Sequence, residues 1–161
     1  MSAGGAVVER TAAGLTVFGD EVRVFTAAPV QFLDVTPAVS EAVARSGVRL
    51  GVASVQVRHT TAAVIVNEDE PRLIQDMKAC LERLAPREAA YRHDDLALRA
   101  PGLPKDERRN GHAHCKALFL RASETLQVAD GRLALGPWQR IFLVELDGPQ
   151  ERRVSIRVLG V

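Results

Sequence analysis

The sequence predicts an α+β fold: a mainly antiparallel, curved β-sheet or sandwich with two or three helices packed on it. Three observations predict it. Valine-rich strand-like segments lie at both ends of the chain. One strongly amphipathic helical stripe lies between them. Gly, Pro and Asp signals separate the C-terminal segments, in place of the steady strand–helix alternation of a parallel sheet. A chain of 161 residues is expected to form one domain, 1–161, large enough to fold without a disulfide or a metal. Its 47% hydrophobic and 25% charged content is that of a globular protein.

Residues 1–15 are mostly small and polar and are expected to form a flexible N-terminus. "LTVFGDEVRVFTA" (15–27) reads as two short strands around a Gly19-Asp20 turn. "DVTPAVSEAVARSGV" (34–48) reads as a helix, with Thr36 as N-cap, Pro37 at the first helical position and Gly47 at the exit. "LGVASVQVRHTTAAVIVNED" (50–69) splits into strands 50–58 and 61–67, with His59-Thr60 at the junction. The clearest element is a helix over about 70–84. Leu73, Ile74, Met77, Leu81 and Leu84 fall on one stripe. Glu68, Asp69 and Glu70 sit at its positive end, and Pro86 closes it.

Residues 86–110 form a long polar stretch, a length of loop that is often functional. "HCKALFLRAS" (114–123) reads as a short helix. The C-terminal third is β, in "ETLQVA", "RLAL", "QRIFLVELD" and "RRVSIRVLG", with turns at Asp130-Gly131, Gly136-Pro137 and Asp147-Gly148-Pro149.

A net charge of +1 gives no bulk attraction to nucleic acid or acidic membranes. No apolar run approaches the roughly 18 residues of a membrane span, and the N-terminus lacks the apolar core of a signal peptide. A cytoplasmic location is expected, with Cys80 and Cys115 as thiols.

The four histidines, His59, His93, His112 and His114, all lie in the middle of the chain. A His-X-His pair has two geometric readings. On a strand both rings face one side and can share a metal. On a helix they diverge by about 200°, so one ring would have to precede the helix. Three imidazoles and a water make an open zinc-type site. His112 and His114 supply two ligands, and His59 and His93 are candidates for a third. Glu68, Asp94 and Asp95 are candidates to ligate or to orient a ring. Each residue also has an ordinary reading: a hydrogen-bonded histidine, a small buried filler at Cys115, helix-end charge at 68–70, and a solvated strand face at Arg153 and Arg157.

Taken together, "RHTTAAVIVNED" (58–69), "YRHDD" (91–95), "NGHAHCKA" (110–117) and "DGRLALGPWQRIFLVELDGPQERRV" (130–154) resemble the successive motifs of the YjbQ-like family. Its members are often called secondary thiamine-phosphate synthases. The resemblance spans roughly residues 20–160. Gln150 departs from it, standing where a basic residue is common. The resemblance implies a small α+β fold, a homotrimer, and histidines converging on a pocket near subunit boundaries.

The expected site follows. His93, His112 and His114 hold a divalent metal (zinc or similar) or an oxyanion. His59 acts as acid–base or fourth ligand, and Glu68 orients a histidine. Thr60 and Thr61 bond a small phosphorylated ligand, and Lys116 and Arg152 add charge. Mg²⁺ enters if the chemistry releases pyrophosphate. The alternative is a non-enzymatic trimer that binds a metal or a phosphorylated ligand.

Overall fold

A computed structural model describes residues 2–3, 7–10, 14–99, 102 and 107–161. The α+β architecture is present, built among the described residues as two antiparallel sheets and three helices. The strands are β1 (Ser2–Ala3), β2 (Val7–Arg10), β3 (Thr16–Phe25), β4 (Gln31–Asp34), β5 (Leu50–Val57), β6 (Ala62–Glu68), β7 (Ser123–Ala129), β8 (Arg132–Leu133), β9 (Gln139–Glu145) and β10 (Glu151–Gly160). The helices are α1 (Thr36–Ser46), α2 (Pro71–Leu84) and α3 (Gly111–Ala117). A single 3₁₀ turn, Arg92–Asp94, interrupts the long polar stretch.

The large sheet runs β1-β3-β10-β5-β7-β8, with β2 on the same edge of β3 as β1. The small sheet runs β4-β9-β6. Helix α1 contacts β3, β10, β5 and β8 of the large sheet and β9 of the small one. The large sheet therefore curls round α1. Val39, Ala42 and Val43 of α1 meet Phe18, Val55, Ile156 and Val158 there.

Strand β9 is buried on both faces, which explains its unbroken apolar run. Ile141 and Leu143 face the core around α1. Phe142, Val144 and Leu146 face a second core with Ile74 and Leu81 of α2 and Ala113 of α3. The β9 face that holds Ile141 and Leu143 is also the one on which Glu145 stands.

Several expectations are corrected. Residues 15–27 hold one ten-residue strand and no turn at Gly19-Asp20. Among the residues expected to be a flexible N-terminus, Ser2–Ala3 and Val7–Arg10 pair with β3; residues 1, 4–6 and 11–13 lie outside the described residues. Thr36 is the first helical residue and not the N-cap, which is Val35; the Thr36 hydroxyl accepts the Ile141 N–H at 2.7 Å. The third helix starts earlier than expected, at Gly111, and ends at Ala117. Helix α2 matches its expected span, and Glu70 caps it by accepting the N–H groups of Arg72 and Leu73. Among the described residues no helix is long and apolar enough to cross a membrane. Cys80 and Cys115 are both free.

Candidate functional site

The turn between β9 and β10 organises two polar clusters. At its start, Glu145 is completely buried and its carboxylate is fully bonded. Oε1 accepts the N–H groups of Leu146 (3.0 Å), Asp147 (2.9 Å) and Gly148 (3.3 Å). Oε2 accepts the Thr26 hydroxyl at 3.0 Å. Arg152, seven residues on, donates Nη2 to Oε1 at 2.6 Å and Nε to Oε2 at 2.7 Å. Its Nη2 also reaches the Thr61 carbonyl (3.1 Å) and hydroxyl (2.9 Å). A buried ion pair is tolerable only with such complete bonding. It ties the start of β6 to the β9–β10 turn.

His59 sits beside this pair. Its Nε2 accepts the Arg153 N–H at 3.3 Å, so the neutral ring carries its proton on Nδ1. Burial lowers its pKa below 6.5, and the Arg152 charge pushes the same way. Both effects favour the neutral form of the His59 ring.

The second cluster is built on α3. Asp147 accepts from Asn110 Nδ2 (3.2 Å), Arg108 Nη1 (3.4 Å) and Gln150 Nε2 (3.3 Å). Asp94, in the 3₁₀ turn, accepts the Gly111 N–H at 2.8 Å and so fixes the start of α3 against that turn. Gly111 is required by crowding: a Cβ there would lie 2.5 Å from Tyr91 Cβ.

Both His112 and His114 lie inside α3, so their rings diverge by about 200°. His114 shares its side of the helix with Asn110, four residues earlier. Its ring packs edge-on against His93 with centroids 4.6 Å apart. His112 shares the other side with Lys116. Its ring lies 6.5 Å from Tyr91. Burial lowers the pKa of both rings. His93 adds to this at His114, and Lys116 and Arg87 add to it at His112.

Three polar atoms in this region are sealed from solvent without a partner among the described residues: His93 Nε2, His112 Nε2 and Asn110 Oδ1. Each such group costs about 1–3 kcal/mol, and native structures carry few of them. A cleft of about 660 Å³ opens next to Tyr91 and Asp94, which line it with Arg87, Glu88, Asp95 and Arg109 among others; His93, Asn110 and His112 do not line it.

The structure thus brings His93 and His114 together but sends His112 to the opposite side of α3. Among the described residues, no group of three His, Cys, Asp or Glu side chains is placed to hold a metal ion. The expected three-histidine cluster is not assembled within one chain, because two rings two residues apart on a helix cannot converge. Thr61 is buried in the Arg152 network, and Thr60 is exposed in the adjoining turn. Arg152 uses Nε and Nη2 on Glu145 and Thr61. Lys116 is buried and paired with Glu82 at 2.7 Å. Glu68 lies at the opposite end of β6 from Thr61, opposite Gln139, and bonds no histidine.

The sequence reading missed Glu145, Asp147, Asn110 and Glu82. Only Glu145 carried a signal, as a lone carboxylate inside an apolar run.

Residues 20–161 match the model of a family described as UPF0047 protein YjbQ-like. A UPF0047 protein of Methanothermobacter thermautotrophicus is 36% identical over 146 residues, 91% of this chain and 94% of that protein. One from Archaeoglobus fulgidus is 37% identical, covering 86% and 99%. Among solved structures, a YbjQ-like protein of unknown function from Sulfolobus solfataricus superimposes with a TM-score of 0.82 at 34% identity, over 91% of this chain and 99% of that one. A hypothetical protein from Aeropyrum pernix gives 0.78 at 38% identity, over 89% and 98%. The motifs, the α+β fold and these similarities agree: the chain belongs to the YjbQ-like UPF0047 family.

Proposed function

We propose that the chain is an enzyme whose site is centred on the His93–His114 pair, which holds a divalent transition metal and acts on a small phosphorylated molecule. The observation that carries this is the His93 Nε2. It is sealed from solvent, has no partner, and belongs to a ring 4.6 Å from that of His114. An imidazole kept neutral by burial, as His114 is, is the ligand form of histidine. Asn110 Oδ1, also without a partner, adds an oxygen donor on the His114 side of α3. Two nitrogens and an oxygen suit zinc or a similar ion, with a water or a partner subunit completing the set. Such an ion supplies Lewis-acid activation of a phosphoryl oxygen or a water.

The remaining residues have defined work. Asp147 holds Asn110, and Asp94 fixes the start of α3. His59, neutral and carrying its proton on Nδ1, is the acid–base group on the Arg152 side of the β9–β10 turn. Arg87 and Arg109 offer guanidinium contacts to a phosphate in a cleft wall that they share with the carboxylates of Glu88, Asp94 and Asp95. Thiamine-phosphate synthesis, which joins a pyrimidine pyrophosphate to a thiazole phosphate, falls within this substrate class and would require Mg²⁺ on the leaving pyrophosphate. We place the site in a homotrimer, a reading supported by the exposed Leu118 and Phe119 that directly follow α3.

The test combines metal analysis of the purified protein with turnover of phosphate monoesters and of the thiamine precursor pair. His114→Ala should remove both metal and turnover while the fold survives. Metal retention without turnover of any substrate would favour the non-enzymatic binding protein. Equal metal content in wild type and His114→Ala would refute the site. Light scattering should give about three times the 17.5 kDa chain mass.

A further inference from the structure

The opposite side of α3 carries an arrangement that the His93–His114 reading does not use. Lys116 is a buried ammonium, its side chain only 1% exposed. It has three N–H donors, and among the described residues its hydrogen bond is to Glu82 Oε2 at 2.7 Å. The other oxygen of Glu82 accepts the Arg87 N–H at 2.6 Å. His112, 2% exposed, presents Nε2 with no partner. Lys116 and Arg87 both lie within electrostatic reach of that ring, and the ring in turn acts on Glu82. The Arg87 guanidinium makes one long contact, 3.4 Å to the Asp147 carbonyl, and lines the cleft with Tyr91.

An ammonium, a backbone N–H and a guanidinium, with an imidazole that adds a fourth donor when its proton sits on Nε2, form the donor set of a phosphate site. The acceptor now standing there is the chain's own carboxylate. Burial pushes the Glu82 carboxyl up, but the bonds from Lys116 and the Arg87 N–H outweigh it and hold the pKa low, so only a stronger anion can take its place; Glu82 is nonetheless free to move. Its side chain is 49% exposed, so it can turn out to water. It also lies in the last turn of α2, where the helix dipole disfavours negative charge. Lys116 and His112, both buried, cannot leave.

We propose that Lys116, His112 Nε2, the Arg87 N–H and the Arg87 guanidinium form a subsite for a phosphate monoester dianion, and that Glu82 is a resident carboxylate that the dianion displaces. The displacement leaves no charge orphaned. A dianion replaces a monoanion at Lys116, His112 gains an acceptor, and Glu82 enters water. The substrate class rests on the proposed function above. The subsite lies on the other side of α3 from the His93–His114 pair, so it is testable without metal.

The experiment is a titration of chelator-treated protein, labelled with ¹⁵N-histidine, with inorganic phosphate and separately with phenyl phosphate. Saturable binding should move the His112 Nε2 resonance. Glu82→Gln should tighten binding on the order of fivefold by removing the competing charge, and Arg87→Ala should weaken it by about tenfold. Binding of phenyl phosphate but not inorganic phosphate marks an ester site; binding of both marks a site for the phosphoryl group alone. Lys116→Met is the direct variant but removes a buried charge partner and risks the fold, so the Glu82 and Arg87 variants decide. No saturable binding at millimolar concentrations, or unchanged affinity in Glu82→Gln, would overturn the proposal. Failure of the metal site would instead show as absent metal binding at His93 and His114 with this titration intact.

Discussion

Replacing Arg152 by Met tests whether this arginine is structural or a ligand contact. The substitution keeps the aliphatic bulk but removes four hydrogen bonds, two to Glu145 (2.6 and 2.7 Å) and two to Thr61 (3.1 and 2.9 Å). Glu145 remains fully buried, with three backbone N–H groups and the Thr26 hydroxyl still bonded but no countercharge. Removing one partner of a buried pair costs about 3–5 kcal/mol. In a domain of this size each kcal/mol lowers the midpoint by about 2–4 °C, so a drop of about 6–20 °C is expected. Urea denaturation and calorimetry of wild type, Arg152→Met, Glu145→Gln and the double variant measure it. The double variant should lose much less than the sum of the singles, because the second change removes the charge that the first left stranded. A loss below about 1 kcal/mol in Arg152→Met, with phosphate binding abolished, would refute the structural assignment and make Arg152 a ligand contact.

Gly111→Ala should destabilise by about 1–3 kcal/mol, because its Cβ would collide with Tyr91; an unchanged midpoint in thermal denaturation would mean that the 3₁₀ turn is not packed on α3. Phe142→Ala should cost about 3–5 kcal/mol in urea denaturation, since the ring is 1% exposed and meets Phe32 edge-on at 6.0 Å; a loss under 1 kcal/mol would contradict the second core. His59, His112 and His114 all have folded pKa values below 6.5, chiefly from burial. Below pH 6.5 the unfolded chain therefore binds protons that the folded chain does not, so stability falls as the pH drops from 6.5 towards the folded values. Denaturant midpoints across that window should decline more gently in His112→Gln; an unchanged slope would show that His112 is not held neutral by the fold.

How far the sequence could be read depends on how local each determinant is. The α2 stripe, the Glu70 end and the β5 and β6 strands were legible because they follow from periodicity and capping within a few residues. The single strand β3 was not. Gly19-Asp20 has turn composition, but Arg157 lies against Gly19, where a Cβ would meet Nη1 at 2.9 Å. Asp20 is turned inward to Arg45 at 2.8 Å. Both partners are far away in sequence.

The same distance rule governs the site. The His112/His114 divergence was readable as a consequence of helicity, but whether the helix contained both residues was not. Residues 107–110 are without regular structure, and the start of α3 at Gly111 depends on Asp94, seventeen residues earlier. The pairing of Arg152 was not legible because its partner was visible only as one glutamate in an apolar strand. Pairing across the β9–β10 turn gives a residue expected on a ligand a part in holding the frame.

The central claim is that α3 separates a metal-holding side, His93 and His114, from an anion-holding side, His112 and Lys116. The most direct measurement is the ¹⁵N-histidine spectrum of the protein during zinc titration in phosphate-free buffer. Ring nitrogens of His93 and His114 should shift together to metal-bound values while those of His112 stay in place. A shift of His112 together with His93 and His114, or saturation of all three rings at the same zinc ratio, would contradict it.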